Sequence, residues 1–430
     1  MKEGILLIVM FFIKGVLVLA QTPKADYVFT NIQIVDVVNN TVQPHQTLTV
    51  RDGKIVEIAK RSTGEGERII DGKGAYVMAT LADAHVHFPA TEAEMERVLK
   101  LNLINGITKI RSMRGDWKHA KWREQFNAAQ SSYPKLYLSP PVIHHSYDLT
   151  DEQIDSYVES AKAYQMDHIK ILSIKNTSMF QKFCEKSKEY GIPIGGHFPV
   201  LAEGVLEDKL LFDSDYAYIE HLGGLIGERQ QYNARVKYLV DKQIYSCPTL
   251  LWYTVAYGQY NIDEMLNQRG MEYIDTAVKE QWVTNAKAYR TKLGEAAFQA
   301  EVSKYALEME ERFKAVKELN EAGAPLLLSP DSSSAFLVPG FGVLEEMKLY
   351  QKAGLSNWAI LKAATTNFAA LYKENYGSIE VGKDADFMLL IENPLENLSA
   401  LQNIEGVFYN QLYLNREQLN DIAQSIEVAQ

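Results

Sequence analysis

Tyr76-Val77-Met78-Ala79-Thr80-Leu81-Ala82-Asp83-Ala84-His85-Val86-His87 is the stretch that decides how this chain is read. The run Tyr76–Leu81 is apolar, as in a buried strand, and two histidines one residue apart follow it. Side chains at i and i+2 of a strand share one face, with Cα atoms roughly 6.5–7 Å apart. His85 and His87 can therefore converge on one divalent ion, for which imidazole is a preferred ligand. Strand alternation also brings two residues together for packing alone, so the rest of the chain has to supply the missing ligands.

Downstream of this strand the chain alternates short apolar runs with helical patterns, the signature of βα units and a parallel sheet. Candidate strands are Tyr76–Ala84, Ile107–Ser112, Lys135–Ile143, His168–Leu172, Pro193–Gly196, Tyr218–Glu220, Ile244–Pro248 and Pro325–Leu328. Eight strands close a (β/α)8 barrel. A long helical stretch, 263–320, separates the last two, and it reads as helices covering the barrel with part acting as a lid. The last barrel helix is expected over Asn357–Tyr372, capped by Ser356 or Asn357.

Both ends of the chain are strand-like. Tyr27–Val38, Thr47–Arg51, Lys54–Ala59 and Arg68–Asp71 alternate around Asp-Gly turns, and Ala385–Ile391 and Val407–Leu414 share the pattern. The expected architecture is α/β: a (β/α)8 TIM barrel over 76–376 with a small β-sandwich domain built from 21–75 and 377–430. Residues 5–20 are apolar and end Val18-Leu19-Ala20, which reads as a signal peptide cut after Ala20; Lys14 inside the run argues against an uncleaved anchor. The expected location is therefore exported, periplasmic or secreted, with no stable membrane association after cleavage. Cys184 and Cys247 read as core residues. A net charge of −11 offers no basic stripe for nucleic acid. Self-association into a homo-oligomer is compatible with the chain.

In a (β/α)8 barrel the chemistry sits at the C-terminal ends of the strands. Those ends carry His85 and His87, then Lys170, His197, His221 and Asp331. Each has a bland alternative: rim histidines bonded to carbonyls, a salt-bridged lysine, an aspartate capping a helix. Six such residues at five strand ends make a joint case for a site.

With these residues the chain resembles the amidohydrolase superfamily, in the branch with prolidase-like and imidazolonepropionase-like members. The likeness extends to Asn105-Gly106-Ile107-Thr108, Ala364-Thr365-Thr366-Asn367 and Gly377-Ser378-Ile379-Glu380-Val381-Gly382-Lys383-Asp384-Ala385-Asp386-Phe387. It implies that His85 and His87 hold the more buried of two divalent ions and His197 and His221 the more exposed one. Lys170, carboxylated to a carbamate, would bridge them; Asp331 would bind the buried ion and serve as catalytic base. Zinc suits this donor set, with manganese, iron or cobalt as alternatives. Ala79-Thr80 stand where the family usually has Pro-Gly, and Ser329-Pro330-Asp331 where it often has Gly-Thr-Asp. Both departures concern loop shape.

The implied activity is hydrolysis of a C–N bond in a small molecule such as a dipeptide or N-acyl amino acid. Arg111 and Arg114 are candidates to pair with a substrate carboxylate, and His144, His145, Tyr147, Trp252 and Tyr253 to wall a pocket; each also reads as rim packing. Two alternatives remain: a mononuclear cyclic-amide hydrolase or deaminase of the imidazolonepropionase type, against which Lys170 speaks, and a non-catalytic exported binding protein.

Overall fold

A computed structural model describes residues 27–60 and 68–427, so the expected signal segment 1–20 lies outside the described residues. The chain first forms β1 (Tyr27–Asp36), β2 (Thr41–Arg51), β3 (Lys54–Ala59), β4 (Arg68–Asp71) and β5 (Tyr76–Ala79). Then come β6 (Leu81–Val86), β7 (Ile107–Ser112), β8 (Lys135–Tyr137), β9 (Ile169–Ile171), β10 (Ile194–His197), β11 (Tyr216–Glu220) and β12 (Tyr245–Cys247). The last strands are β13 (Phe387–Leu390), β14 (Ile404–Tyr409) and β15 (Leu412–Asn415).

The first five strands and the last three join in one mixed sheet, ordered β15-β14-β13-β5-β1-β2-β3 with β4 beside β1. The two ends of the chain meet at the antiparallel pair β13–β5, with Phe387 opposite Ala79 and Leu390 opposite Tyr76. The hydrogen bonding forms a single eight-stranded sheet. Its own small core contains Phe29, Phe387 and Phe408, with Phe29 edge-on to Phe387 at 5.0 Å. Expected strand Val407–Leu414 is a hairpin instead, because Asn410 and Gln411 take φ of 48° and 68°. A two-residue turn with positive φ at both positions matches the twist of its flanking strands.

The expected strand Tyr76–Ala84 also divides. β5 belongs to the mixed sheet, while β6 pairs in parallel with β7. Thr80 marks the change: its N–H donates to Asp386 O (3.1 Å) and its hydroxyl meets that of Thr108 (2.6 Å), so its bonds leave the ladder on both sides.

The remaining strands form two parallel sheets, β6-β7-β8 and β12-β11-β10-β9. Isolated parallel bridges link Ile143 to Ile171 and Ser246 to Leu326, and Ala84 N donates to Leu328 O at 3.2 Å. The expected strand Lys135–Ile143 stops at Tyr137; Pro140 and Pro141 follow and offer no N–H to a ladder. Pro325–Leu328 likewise contributes bridges rather than a named strand.

The stretch 263–320 contains helices Thr276–Leu293 and Glu295–Ala322. The first buries none of its residues, whereas the second buries Phe298, Met309, Arg312, Phe313, Ala315, Val316 and Leu319. The expected helix Asn357–Tyr372 is two, broken at Thr365, whose φ −133°, ψ −89° is not helical. Ser356 caps the first of them, accepting from Ala359 N. Cys184 and Cys247 are free and buried.

Helix His119–Phe126 packs through an unusual anchor. The buried His119 ring stacks 4.6 Å from Trp122 and lies 5.3 Å from Phe88. Burial pushes its pKa down from 6.5 to about 4, so the folded state holds it neutral. A depressed pKa contributes stability above the unfolded value, lost as pH falls through the folded one. Between pH 7 and 4, His119→Gln should therefore lose roughly 1–3 kcal/mol less stability than the natural protein. Urea unfolding midpoints across that range check this; parallel curves for the two proteins would refute it.

Candidate metal centre

His85, the penultimate residue of β6, is fully buried, and His87 follows the strand with its ring partly exposed. Lys170 lies in the middle of β9, His197 ends β10, His221 follows β11, and Asp331 lies beyond the bridge-forming segment 325–328. These six come together. Asp331 Oδ1 is 3.5 Å from His85 Nε2 and 3.3 Å from His87 Nε2, and Oδ2 is 4.0 Å from His221 Nε2. Lys170 Nζ is 3.3 Å from His85 Nε2, and the His197 and His221 ring centres are 4.8 Å apart. Asp331 caps no helix: the next one begins at Phe341 behind Gly340.

The local backbone is shaped to deliver these side chains. Gly196, at φ +139°, passes so close to the neighbouring strand that a Cβ would stand 2.0 Å from Ile171 O, and His197 turns inward from it. His221 and Asp331 hold left-handed backbone, at φ +61° and +65°. Non-glycine residues rarely adopt it, and such strain concentrates at functional sites.

Hydrogen bonds settle which ring nitrogen faces inward. His85 Nδ1 is 2.7 Å from Glu220 Oε2, and an ionised carboxylate only accepts, so Nδ1 carries the proton and Nε2 keeps its lone pair. His221 Nδ1 is 2.6 Å from Thr249 Oγ1, whose proton goes to Pro248 O (2.8 Å). That hydroxyl can only accept from the ring, and His221 Nε2 is free as well. Burial, followed by Lys170, drives His87 and His197 each down to about 3; burial also pulls His85 and His221 well below 6.5. All four imidazoles are neutral at neutral pH, the form that ligates metal.

The cluster fits a cation. Asp331 Oδ1 is buried and accepts no hydrogen bond, and burial raises the carboxyl to about 7. The His85, His87 and Asp331 donor atoms all lie within 4.8 Å of one another. Ligands about 2.1 Å from a tetrahedral ion stand about 3.4 Å apart, close to the two Asp331–histidine separations. Burial also lowers Lys170 to about 8, which favours the neutral amine.

An amidohydrolase family model matches residues 76–410. The chain belongs to the amidohydrolase family. Among solved structures this amidohydrolase resembles a bottromycin amidohydrolase, with TM-score 0.73 and 19% identity over 94% of this chain and 90% of that one. A Xaa-Pro dipeptidase with methionine bound in its active site gives 0.67 and 18%, over 91% and 100% of the two chains. The ochratoxinase of A. niger gives 0.69 and 13%, over 92% and 96%. At these identities the likeness speaks for the fold. In sequence, adenine deaminases of Halalkalibacterium halodurans and Listeria monocytogenes align at 32% over 91 residues and 37% over 90. The chain spans only 15% and 14% of their lengths.

The amidohydrolase corrects one expectation about substrate contacts. Arg111 cannot reach a substrate: it is fully buried, and its guanidinium is held by Glu220, by Ala84 O (2.5 Å) and over the Tyr218 ring at 4.6 Å. Arg114 is exposed and close enough to His87 to depress its pKa. His144 and His145 stack at 4.0 Å, with exposed Tyr147 at 6.3 Å from His144. Trp252 and Tyr253 each lie 6.1 Å from the His221 ring.

Sequence reasoning missed Glu220, Thr249, Asp83 and Ser329. Ser329 Oγ contacts Asp83 Oδ1, His85 O (2.9 Å) and Asp331 N (3.2 Å). A hydroxyl has one proton and two lone pairs. All three contacts are met when Asp83 carries a proton, and burial raises its pKa to about 7. Ser332 Oγ adds a bond to Asp83 Oδ2 (3.2 Å). The available signal was charge: Asp83, Arg111 and Glu220 all stand in strands otherwise apolar enough to be buried.

Glu220→Gln should weaken binding of divalent ions about 10–100-fold, because it loosens the His85 ring. It should also cost about 3–5 kcal/mol of stability by leaving Arg111 without its counter-charge. Pairing it with Arg111→Met should restore stability but not affinity. Chelator competition and denaturant titration read the two effects separately; unchanged affinity in Glu220→Gln would exclude the orienting role.

Proposed function

We infer that this amidohydrolase is an exported binuclear enzyme that cleaves an amide bond in a small molecule such as a dipeptide or N-acyl amino acid. The observation carrying the two-ion reading is the buried Lys170 amine among the ligand nitrogens, 3.3 Å from His85 Nε2. An ammonium has three donors and no lone pair, so it can donate to the free Nε2 of His85 but cannot itself ligate an ion. Its carbamate is an anionic ligand with two oxygens, and the depressed pKa favours the amine that reacts with carbon dioxide. His85, His87 and Asp331 would hold one ion and His197 and His221 the other, with Lys170 shared.

Divalent ions held there supply Lewis acidity for a carbonyl oxygen and bring the pKa of water from 15.7 to about 7. The chain's own residues do the rest. Asp331 accepts a proton from the attacking water and delivers it to the departing amide nitrogen, one carboxylate serving as base and then as acid. Glu220 and Thr249 keep His85 and His221 in the ligating tautomer throughout. Trp252 and Tyr253 wall the His221 side with aromatic surface. The two parallel sheets, bridged at Ile143–Ile171 and Ser246–Leu326, are read as one (β/α)8 barrel with its strand ends at this centre.

A mononuclear reading has its own support. The tightest cluster, His85–His87–Asp331, is sufficient for one ion, and the aligned relatives are deaminases. Metal content decides between them. The natural protein should carry two ions per chain by mass spectrometry, Lys170→Ala one or none with activity lost, and Asp331→Asn two with kcat reduced about 10³-fold or more. One ion per chain with Lys170→Ala fully active would favour the mononuclear reading; near-normal kcat in Asp331→Asn would remove it from proton transfer. Export has a separate test: mature protein recovered outside the cytoplasm should begin at Gln21.

A further inference from the structure

Thr249 stands at the start of helix Leu250–Ala256 and does not cap it. Elsewhere in the chain threonine at that position does the ordinary work. Thr91 and Thr150, with φ of −117° and −73°, accept from the amides of Glu94 and Gln153. Thr249 instead holds left-handed backbone, at φ +50° and ψ +52°, which a β-branched residue seldom adopts. Its hydroxyl is turned away from the helix, accepting from His221 Nδ1 (2.6 Å) and donating to Pro248 O (2.8 Å).

An acid from far along the chain takes the helix amides instead. Leu250 N donates to Glu346 Oε1 at 2.7 Å and Leu251 N to Oε2 at 2.6 Å. Glu346 is fully buried on helix Phe341–Lys352. Burial pushes its carboxyl up to about 8 against the pull of the two amides, so it is a costly substitute for a hydroxyl already beside them. The same helix also holds the segment that carries Asp331. Tyr350 Oη donates to Leu327 O (2.6 Å), and Gly342 leaves room for Pro330, whose ring carbons would stand 3.0 Å from a Cβ there. Gly342, Glu346 and Tyr350 recur every four residues, so one helix face bears on both the His221 and the Asp331 sides of the centre.

We propose that Glu346 is a positioning residue for His221: by capping helix Leu250–Ala256 in place of Thr249, it leaves the threonine hydroxyl free to hold the His221 ring with Nε2 toward the ion. This rests on the reading of His221 as a ligand of the second, more exposed ion. Without Glu346 the two buried amides lose their acceptors. An N-cap hydroxyl meets the amide at the second or third helical position, here Leu251 or Trp252, from the extended backbone that threonine prefers. A hydroxyl turned to the helix no longer faces His221.

Chelator competition on the zinc-loaded protein tests this, with the ion lost in His221→Ala marking the second site. Glu346→Gln keeps the volume but offers one acceptor where two amides donate. It should weaken the second ion about 10–100-fold, as for loss of a group that orients a ligand, and leave the first within about threefold. Thr249→Val should do the same. The double variant should lose no more than either alone, because both changes remove one hydrogen bond to His221. In the metal-free protein, histidine-selective NMR should show His221 as the single Nδ1–H tautomer, and Glu346→Gln should mix the two tautomers. Glu346→Asp, too short to reach both amides, should behave alike and serves if Glu346→Gln does not fold. An unchanged second ion in a folded Glu346 variant, equal weakening of both ions, or additive losses in the double variant would overturn the positioning role and leave His221 a ligand. Retention of both ions by His221→Ala would overturn the ligand reading and the proposal with it.

Discussion

Glu220 accepts from His85 Nδ1 with one oxygen and from Arg111 with the other, and all three side chains are wholly buried. Ion pairs in such surroundings gain little net stability, because desolvation offsets the attraction. What this one does is geometrical. It fixes the face and the tautomer of the most buried imidazole, and through Arg111 it ties β11 to β7 and to the Ala84 carbonyl of β6. Three strands are thereby held in register around one ring nitrogen.

A second buried carboxyl performs the same service for the opposite side. Asp83, two residues before His85, meets Ser329 and Ser332, which flank Asp331. The segment carrying the acidic ligand is thus anchored to the strand carrying the first histidine by hydroxyls as well as by the backbone bonds of Ala84 and His87 to Leu328 and Ser332. The serine hydroxyl also bonds the Asp331 amide and holds the Ser329-Pro330 turn. Burial then does the electrostatic preparation. It keeps the four histidines neutral and draws Lys170 and Asp331 toward neutrality, so the unliganded cluster avoids holding six charges in one dry volume.

The strand ends were readable because a buried parallel strand is apolar to its last turn, and a histidine or aspartate there stands out. Ile107–Ser112 was placed to the residue, and the six candidate ligands share one neighbourhood. What stayed illegible depends on partners far away in the chain. Nothing near Arg111 announces Glu220, 109 residues on, so an arginine at a strand end looked like a ligand for substrate. The burial of Arg312 was equally illegible: in a helix of mixed charge an arginine reads as solvated, and the packing of Tyr253 and Tyr257 removes it from water. Thr80 and Thr365 ended elements through tertiary hydrogen bonds and backbone angles that no propensity encodes.

Thr80 has one more consequence. It is the single residue between β5, a strand of the mixed sheet, and β6, which delivers His85. No linker separates the peripheral sheet from the chemistry, and the β13 strand that completes that sheet arrives from beyond residue 386. The mixed sheet is therefore not a detachable module. Until β13 (Phe387–Leu390) is synthesised and folded back, the strand leading into the first ligand lacks one of its two neighbours. A product cut before β13 is therefore unfinished beside the strand that leads into the first ligand as well as at the edge of the sheet.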